Sequence, residues 1–247
     1  MRAMSWSSEL FAGGATPDDD AAWAAAGLLA LSGPVDGPPR FPPRSLVPSA
    51  RGLGASIERL AGALGADDVR VDALGRLAER AAIGGLTRAG RRSCGGATHL
   101  IRSADGWIAV SLARPDDVEL LPAWLGIYDP VGLDVAVGAR AGGDLTATGT
   151  ELGLAVAALG EVPADDEVVE ATLASAGPPR SQLAGAIVVD LSSLWAGPLC
   201  ASILGEAGAR VVKVESASRL DGARRGPGAF FDRLHAGHDS VVVDLGS

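Results

Sequence analysis

The sequence predicts an α/β protein, with a partial parallel sheet near the carboxyl terminus and a small α+β domain in the middle of the chain. Two observations favour this class. Residues 186–215 alternate between β-branched and helical patterns, as a β-α-β unit does, and its crossover should be right-handed. Residues 98–112 hold two β-rich runs around Ser103-Ala104-Asp105-Gly106, a pattern that is typical of a β-hairpin.

Length and composition indicate a globular protein. The chain has 247 residues, of which 47% are hydrophobic, and this is enough for a sizeable core. A net charge of −9 argues against general nucleic-acid binding, which needs a positive surface. The apolar run at residues 21–31 is too short to span a bilayer and follows three aspartates, so we expect no targeting or membrane segment.

The cysteine pattern indicates a reducing, cytoplasmic setting. The chain has two cysteines, Cys94 and Cys200, which do not make a disulfide framework. Cys94 and His99 are close in sequence but lack the paired spacing of a zinc site. Structural roles are therefore favoured for both side chains, and no metal site is expected.

The amino-terminal third is predicted to be mainly helical. Residues 1–20 are polar and rich in glycine and aspartate, so an irregular start is expected. Each proline removes a backbone donor and restrains the residue before it, so residues 34–48 should not form regular structure. Apolar residues at helical spacing predict three helices, over residues 21–31, 50–64 and 71–83.

The middle of the chain adds short helices to the hairpin. Residues 118–125 predict a helix that Pro122 disturbs. Thr148 and Glu151 stand at capping-box spacing ahead of the apolar run LGLAVAAL, which favours a helix there. A helix with an acidic start is expected over residues 165–174, and a Gly-Pro-Pro linker follows it.

The carboxyl-terminal part carries the β-α-β pattern. Residues 187–191 form an apolar run of the kind that a strand buried on both faces requires, and residues 210–215 form a second β-branched run. Pro198 fits the first turn of a helix, where a missing N–H costs nothing, and Gly208 closes that helix. The loop with Gly197 should direct backbone N–H groups and the helix dipole toward a ligand.

Residues 210–233 are basic, although the chain as a whole is acidic. They contain six basic and three acidic side chains, a local charge of +3. Such a segment could receive a polyanion, and a solvated basic loop is equally compatible with it. The basic residues are Arg210, Lys213, Arg219, Arg224, Arg225 and Arg233.

Residues 188–216, VVDLSSLWAGPLCASILGEAGARVVKVES, are followed by DGARRGPGAFF and LHAGHDSVVVDL. Together these segments resemble the amino-terminal nucleotide-binding unit of the class III CoA-transferases, the family of formyl-CoA transferase, carnitine CoA-transferase and α-methylacyl-CoA racemase. Its pattern is Asp-Leu after a strand, Ala-Gly-Pro at a helix start, Gly-Ala, and a strand ending in Lys-Val-Glu. The matching positions are Asp190, Ala196, Gly197, Pro198, Gly208, Ala209, Lys213 and Glu215.

The resemblance implies a Rossmann-like unit with coenzyme A or acyl-CoA as a substrate and no permanently bound cofactor. Trp195 is among the residues implied in CoA binding, but a core aromatic side chain is equally compatible with its position. Ser216 stands where an arginine is usual, and His238 and Asp239 stand where Lys-Arg is usual, and these changes weaken the expected anion site. The residues implied in CoA binding are Leu194, Trp195, Ala196, Gly197, Pro198, Lys213, Arg219, Arg224 and Arg225.

An earlier segment, GLLALSGPVDGPPRFPPRSLVPSARGLGASIERLAGAL, resembles another part of the family, in which an Asp-x-x-x-Gly motif opens a long helix. That aspartate is the family's nucleophile. Counting back four residues from Gly52 places its position at Pro48, which has no carboxylate. The resemblance thus implies a truncated and rearranged member that is inactive alone, with a second nucleophile motif expected beyond Ser247.

The resemblance also implies a division into three parts and a set of partners. Residues 1–90 are similar to the nucleophile-bearing region, residues 91–180 to the small α+β domain, and residues 181–247 to the start of the CoA-binding unit. The expected partners are acyl-CoA, a carboxylic acid, and a second copy or a homologous subunit. Neither nucleic acid nor a membrane is expected.

Two alternatives stay open at this point. An NAD-binding domain is one, because Glu215 lies about 20 residues beyond the turn, where an acid would meet a ribose hydroxyl; the glycine fingerprint is missing, however. The other is a non-catalytic partner that binds an acyl-CoA or an active homologue.

Overall fold

The structure is a computed structural model, and it describes residues 17–161 and 182–244. The chain divides into two compact units. Of the described residues, the first unit takes 17–28, 42–85 and 182–244, and the second takes 29–41 and 86–161. Helices combine with an antiparallel and a parallel sheet, which confirms the predicted α/β class.

Three helices come first along the chain. α2 (Leu46–Ala63) and α3 (Ala73–Gly84) confirm the helices predicted over residues 50–64 and 71–83. α2 starts earlier than predicted because Pro48 fits its first turn. Asp72 caps α3 by accepting a hydrogen bond from the Gly75 N–H (3.0 Å), and Gly85 ends it with a φ of 61°. The helices are α1 (Pro17–Ala25), α2 (Leu46–Ala63) and α3 (Ala73–Gly84).

The helix expected over residues 21–31 is wrong in its bounds. α1 begins at Pro17 and ends at Ala25, and Leu28–Leu31 forms a separate 3-10 turn. Gly27 stands between them with a φ of 76°, a left-handed conformation that an α-helix cannot include. The irregular start expected for residues 1–20 is therefore wrong for 17–20, and the remainder lies outside the described residues.

The second unit is built on a three-stranded antiparallel sheet in the order β1-β2-β3. The pairing of β1 with β2 confirms the predicted hairpin, with Leu100 opposite Ala109. β3 pairs with the other edge of β2, where Ala157 lies opposite Ala109. The strands are β1 (Thr98–Arg102), β2 (Trp107–Ser111) and β3 (Ala155–Ala158).

Four short helices complete the second unit, and their apolar side chains form its core together with one face of the sheet. Ile108 and Val110 of β2 are fully buried, as is Leu121, while Trp124 is 4% exposed. The helices are α4 (Pro115–Glu119), α5 (Leu121–Leu125), α6 (Leu133–Gly138) and α7 (Gly142–Glu151). The helix expected over residues 118–125 is thus interrupted between α4 and α5, close to Pro122.

The helix expected after Thr148 is wrong. α7 ends at Glu151, where the helix was predicted to start, and the following residues form β3. Gly153 adopts a φ of 78°, which turns the chain away from the helix. The acidic helix expected over residues 165–174 lies outside the described residues.

The carboxyl-terminal part of the first unit is a three-stranded parallel sheet in the order β4-β5-β6. Val189 pairs with Val212, and Val214 pairs with Val241. This confirms the predicted parallel pairing of the two strands. The elements are β4 (Ile187–Asp190), α8 (Ala196–Glu206), β5 (Arg210–Ser216), α9 (Gly228–Leu234) and β6 (Asp239–Val243).

One face of the parallel sheet is open. Its register places Ile187, Val189 and Val241 on the same side, and they are 64%, 58% and 40% exposed. The opposite side carries the buried Val211 and Lys213. The expectation that residues 187–191 are buried on both faces is therefore wrong, because no described element covers the first face. Association with a second copy or a homologous subunit stays a prediction.

Across residues 17–161 and 182–244, no single helix is both long enough and apolar enough to cross a membrane.

Candidate functional site

The candidate site lies at the carboxyl end of β4, in the turn that leads into α8. β4 ends at Asp190 and α8 begins at Ala196, and the turn that forms the site, residues 192–198, includes the first residues of α8. Asp190 accepts hydrogen bonds from the N–H (2.9 Å) and the hydroxyl of Ser192. The turn therefore starts from a carboxylate at the last position of the strand.

Lys213 ties this turn to β5. Its side chain is 1% exposed, and its ammonium donates to the Ser192 carbonyl and to Asp221 Oδ2 (2.9 Å). Asp190 Oδ2 lies 3.7 Å from the same nitrogen. A buried ammonium is costly unless it is paired and hydrogen-bonded, and these three oxygens meet that need.

Asp221 connects the turn to the loop after β5. Its Oδ1 accepts hydrogen bonds from the N–H groups of Leu194 (2.9 Å) and Ala223 (2.9 Å). Burial alone would raise the pKa of this carboxyl, but the Ala223 and Leu194 amides and Lys213 outweigh burial and lower the pKa. The carboxylate form of Asp221 is thus the one that the fold favours.

Glu215 and Arg224 form a second ion pair next to the first. The guanidinium donates to both oxygens of Glu215 (3.0 and 2.6 Å), and the Asp221 N–H donates to Glu215 Oε1 (2.8 Å). The Arg224 hydrogen bond lowers the pKa of Glu215 most, against the opposing effect of burial. Arg224 also lies 4.0 Å over the ring of Phe231.

Acid should weaken this network. Glu215 and Asp221 have lowered pKa values in the fold, so their contribution to the free energy of unfolding is present above their unfolded pKa values, about 4. It is lost as the pH falls through the lower, folded values. We expect denaturant midpoints to fall on acidification below pH 5, and to fall less in Glu215→Gln. An equal fall in the variant would contradict a role for Glu215.

The turn requires a glycine at position 197. A Cβ built on Gly197 would lie 2.1 Å from Ser192 Oγ, closer than any real contact, so the two segments pack backbone against side chain. Pro198 is buried in the first turn of α8. The side chain of Trp195 packs edge-on against Phe230, with 6.2 Å between ring centroids, and its Nε1 is buried without a partner among the described residues.

The predicted basic region is largely neutralised by the fold. Four of its six cations form ion pairs, with Asp239, Asp221, Glu215 and Glu79 as partners. Arg219 and Arg225 are exposed, and neither forms an ion pair within the described part of the chain. The positive charge that is left without an ion pair is therefore that of two side chains, not of the whole segment.

Two histidines beside the site were not predicted as functional. His235 Nδ1 lies 3.4 Å from His238 Nδ1, and both rings line a cavity of about 200 Å³ with Lys213, Arg224 and Phe231. Burial lowers the pKa of both histidines, which favours their neutral forms. The His-x-x-His spacing is the signal that could have indicated this pair, whereas only His238 was noted from the sequence, as a departure from the family pattern.

Cys94 and Pro48, the other positions that the sequence singled out, are not residues of the turn. The Cys94 thiol donates to the Leu31 carbonyl at 3.5 Å. No cluster of three or more metal-ligating side chains occurs in residues 17–161 and 182–244. Pro48 is half-buried in the first turn of α2.

A sequence of strand, glycine-containing turn and helix at the edge of a parallel sheet is typical of nucleotide-type binding units. Residues 183–247 match the model of CoA-transferase family III, so this part of the chain is similar to that family. The match covers β4 to β6 and leaves residues 1–182 unmatched. No curated protein matches the chain.

Proposed function

We propose that this chain binds coenzyme A or an acyl-CoA at the turn of residues 192–198, and that it does not transfer CoA by itself. The observation that carries the proposal is the coincidence of the family match with this turn. The turn has a glycine that admits no side chain and lies at the strand ends where open α/β sheets bind their ligands.

The chemistry of the turn suits a phosphorylated ligand. A helix leaves the N–H groups of its first turn without intrahelical partners, and in α8 these belong to Ala196 and Gly197. The helix dipole favours negative charge at the same end. Arg219 and Arg225, exposed on the loop after β5, are the cations left to meet the adenosine phosphates.

The lack of turnover follows from the chemistry that the family resemblance implies. An aspartate carboxylate attacks the carbonyl carbon of the donor thioester, the C–S bond breaks, and CoA leaves as a thiolate. The thiolate then attacks the aspartyl carbonyl of the mixed anhydride, which releases the donor acid and leaves a CoA thioester on the aspartate. The acceptor carboxylate attacks that thioester and expels the thiolate, and the thiolate attacks the acceptor carbonyl of the second anhydride to give the new acyl-CoA and free the aspartate. Pro48, at the matching position, has no oxygen that could form the anhydride, and no hydrogen bond replaces a missing nucleophile.

The test combines binding with exchange. Calorimetry with CoA and acetyl-CoA should show binding, and an exchange assay with a labelled CoA ester and a carboxylic acid should show no turnover above the uncatalysed rate. Arg219→Ala and Arg225→Ala should each weaken CoA binding several-fold, as loss of a charge-assisted contact does. Arg59→Ala removes an exposed cation from α2 and is the matched control. Robust exchange by the chain would contradict the proposal.

An NAD site receives less support from the geometry. Both Glu215 oxygens already accept hydrogen bonds, from Arg224 and from the Asp221 N–H, so the carboxylate is not free to meet a ribose hydroxyl. A thermal-shift measurement with NAD beside CoA separates the two ligands. Stabilisation by NAD alone would favour the alternative.

A further inference from the structure

Leu194 adopts a backbone conformation that leucine avoids. Its φ is 73°, and it is the one non-glycine residue with a positive φ in the described part of the chain. The left-handed region is unfavourable for a residue with a Cβ. The side chain is 60% exposed, so packing offsets little of that cost. Such outliers persist only where their surroundings hold them, and they cluster at functional sites.

One carboxylate holds Leu194 in place from 27 residues away. Asp221 Oδ1 accepts the Leu194 N–H at 2.9 Å, while its Oδ2 accepts from the Lys213 ammonium at 2.9 Å. Lys213 in turn donates to the Ser192 carbonyl. The backbone that leads into the strained residue is therefore fastened at two points, the Ser192 carbonyl and the Leu194 N–H, to a single buried ion pair, in which the two side chains are each 1% exposed.

We propose that Asp221 is a positioning residue, which holds Leu194 in its left-handed conformation and so preorganises the backbone of residues 194–197 for the CoA ligand. This inference rests on the proposed function. Preorganised backbone loses less entropy on binding, so the effect appears in CoA affinity. The competing account is that Asp221 serves only to neutralise Lys213.

A glycine rescue distinguishes the two accounts. Asp221→Ala should weaken CoA binding about tenfold, because Leu194 then relaxes to a negative φ. Adding Leu194→Gly should restore most of the affinity, since glycine reaches a positive φ without steric cost. Glycine at position 194 does not neutralise the charge of Lys213. No recovery of CoA affinity is therefore expected if Asp221 serves only to pair that cation. A double variant that binds no better than Asp221→Ala overturns the proposal.

If Asp221→Ala does not fold, Asp221→Asn is the second variant to test, because it retains the shape of the side chain. An asparagine can still accept the Leu194 N–H through its carbonyl, so this variant should keep most of the CoA affinity. A loss as large as that expected for alanine would show that charge neutralisation of Lys213, and not the Leu194 contact, sets the affinity. That outcome also overturns the proposal.

Amide hydrogen exchange on the unmodified chain separates this inference from the proposed function. The Leu194 N–H should exchange much more slowly than the Ser193 N–H next to it, because Asp221 accepts the former. Fast exchange at Leu194 overturns the positioning role whether or not CoA binds. Slow exchange without CoA binding by the wild-type chain instead overturns the proposed function, while Asp221 still holds the turn.

Discussion

Lys213→Ala is expected to lower the free energy of unfolding of the first unit by about 3–5 kcal/mol, the usual cost of removing one partner from a buried ion pair. The substitution leaves Asp221 and Asp190 buried without their cation, at side-chain exposures of 1% and 3%. It also removes the donor to the Ser192 carbonyl. Guanidinium denaturation followed by circular dichroism measures the change.

Arg210→Ala is the matched control for the charge itself. Arg210 lies on β5, as Lys213 does, and pairs with Asp239 of β6 at 2.7 Å. The two side chains of this pair are 67% and 53% exposed. Exposed pairs contribute little, so a cost of about 0–1 kcal/mol is expected. Equal costs for the two substitutions would contradict the burial of the Lys213 network.

Trp124→Ala is expected to cost about 3–5 kcal/mol in the second unit, as removal of a buried tryptophan usually does. The side chain lies in the core with Leu121 and Val137, and its Nε1 donates to the Leu145 carbonyl at 3.0 Å. The substitution therefore leaves a large cavity and removes the hydrogen bond to that carbonyl. Hydrogen exchange of the amides in β1 and β2 reports the stability of this unit separately.

Val131→Ala is the control in the same unit, because Val131 is 91% exposed and should contribute less than about 0.5 kcal/mol. Trp124→Phe keeps most of the volume but loses the hydrogen bond, so it should fall between the two. A Trp124→Ala cost near that of Val131→Ala would show that the core described for the second unit is not formed in solution.

The hairpin and the parallel pair were predictable because their signals are local. β1 and β2 are separated by a four-residue turn, and β4 and β5 flank a helix whose start and end carry Pro198 and Gly208. In each case the partner strand is the next strand along the chain. Alternation of β-branched residues and turn signals was therefore sufficient.

β3 could not be predicted from its own residues. The segment LGLAVAAL has no β-branched residue other than Val156, and an alanine-rich apolar run suits a helix equally well. It becomes a strand because β2 offers a free edge, with Val110 opposite Val156. The same dependence on distant neighbours explains the exposure of Ile187, which its sequence pattern did not reveal.

The candidate site was located by its motif, but its electrostatics were not predicted. The charged residues between Arg210 and Arg233 can be counted from the sequence, but their ion-pair partners cannot. In the fold, Lys213 pairs with Asp221 and Arg224 pairs with Glu215. From the sequence, Asp221 was only one of three acidic side chains in a basic segment. Its contact with the Leu194 N–H depends on a loop that returns to the turn, which no local pattern specifies.

The central claim is that the turn of residues 192–198 binds CoA. The most direct measurement is a titration of the isotopically labelled chain with CoA, followed by the amide resonances of each residue. We predict saturable shifts at Leu194, Trp195, Ala196 and Gly197, with Arg219 and Arg225 affected next. Shifts that are absent at millimolar CoA, or that are confined to the second unit, would contradict the claim.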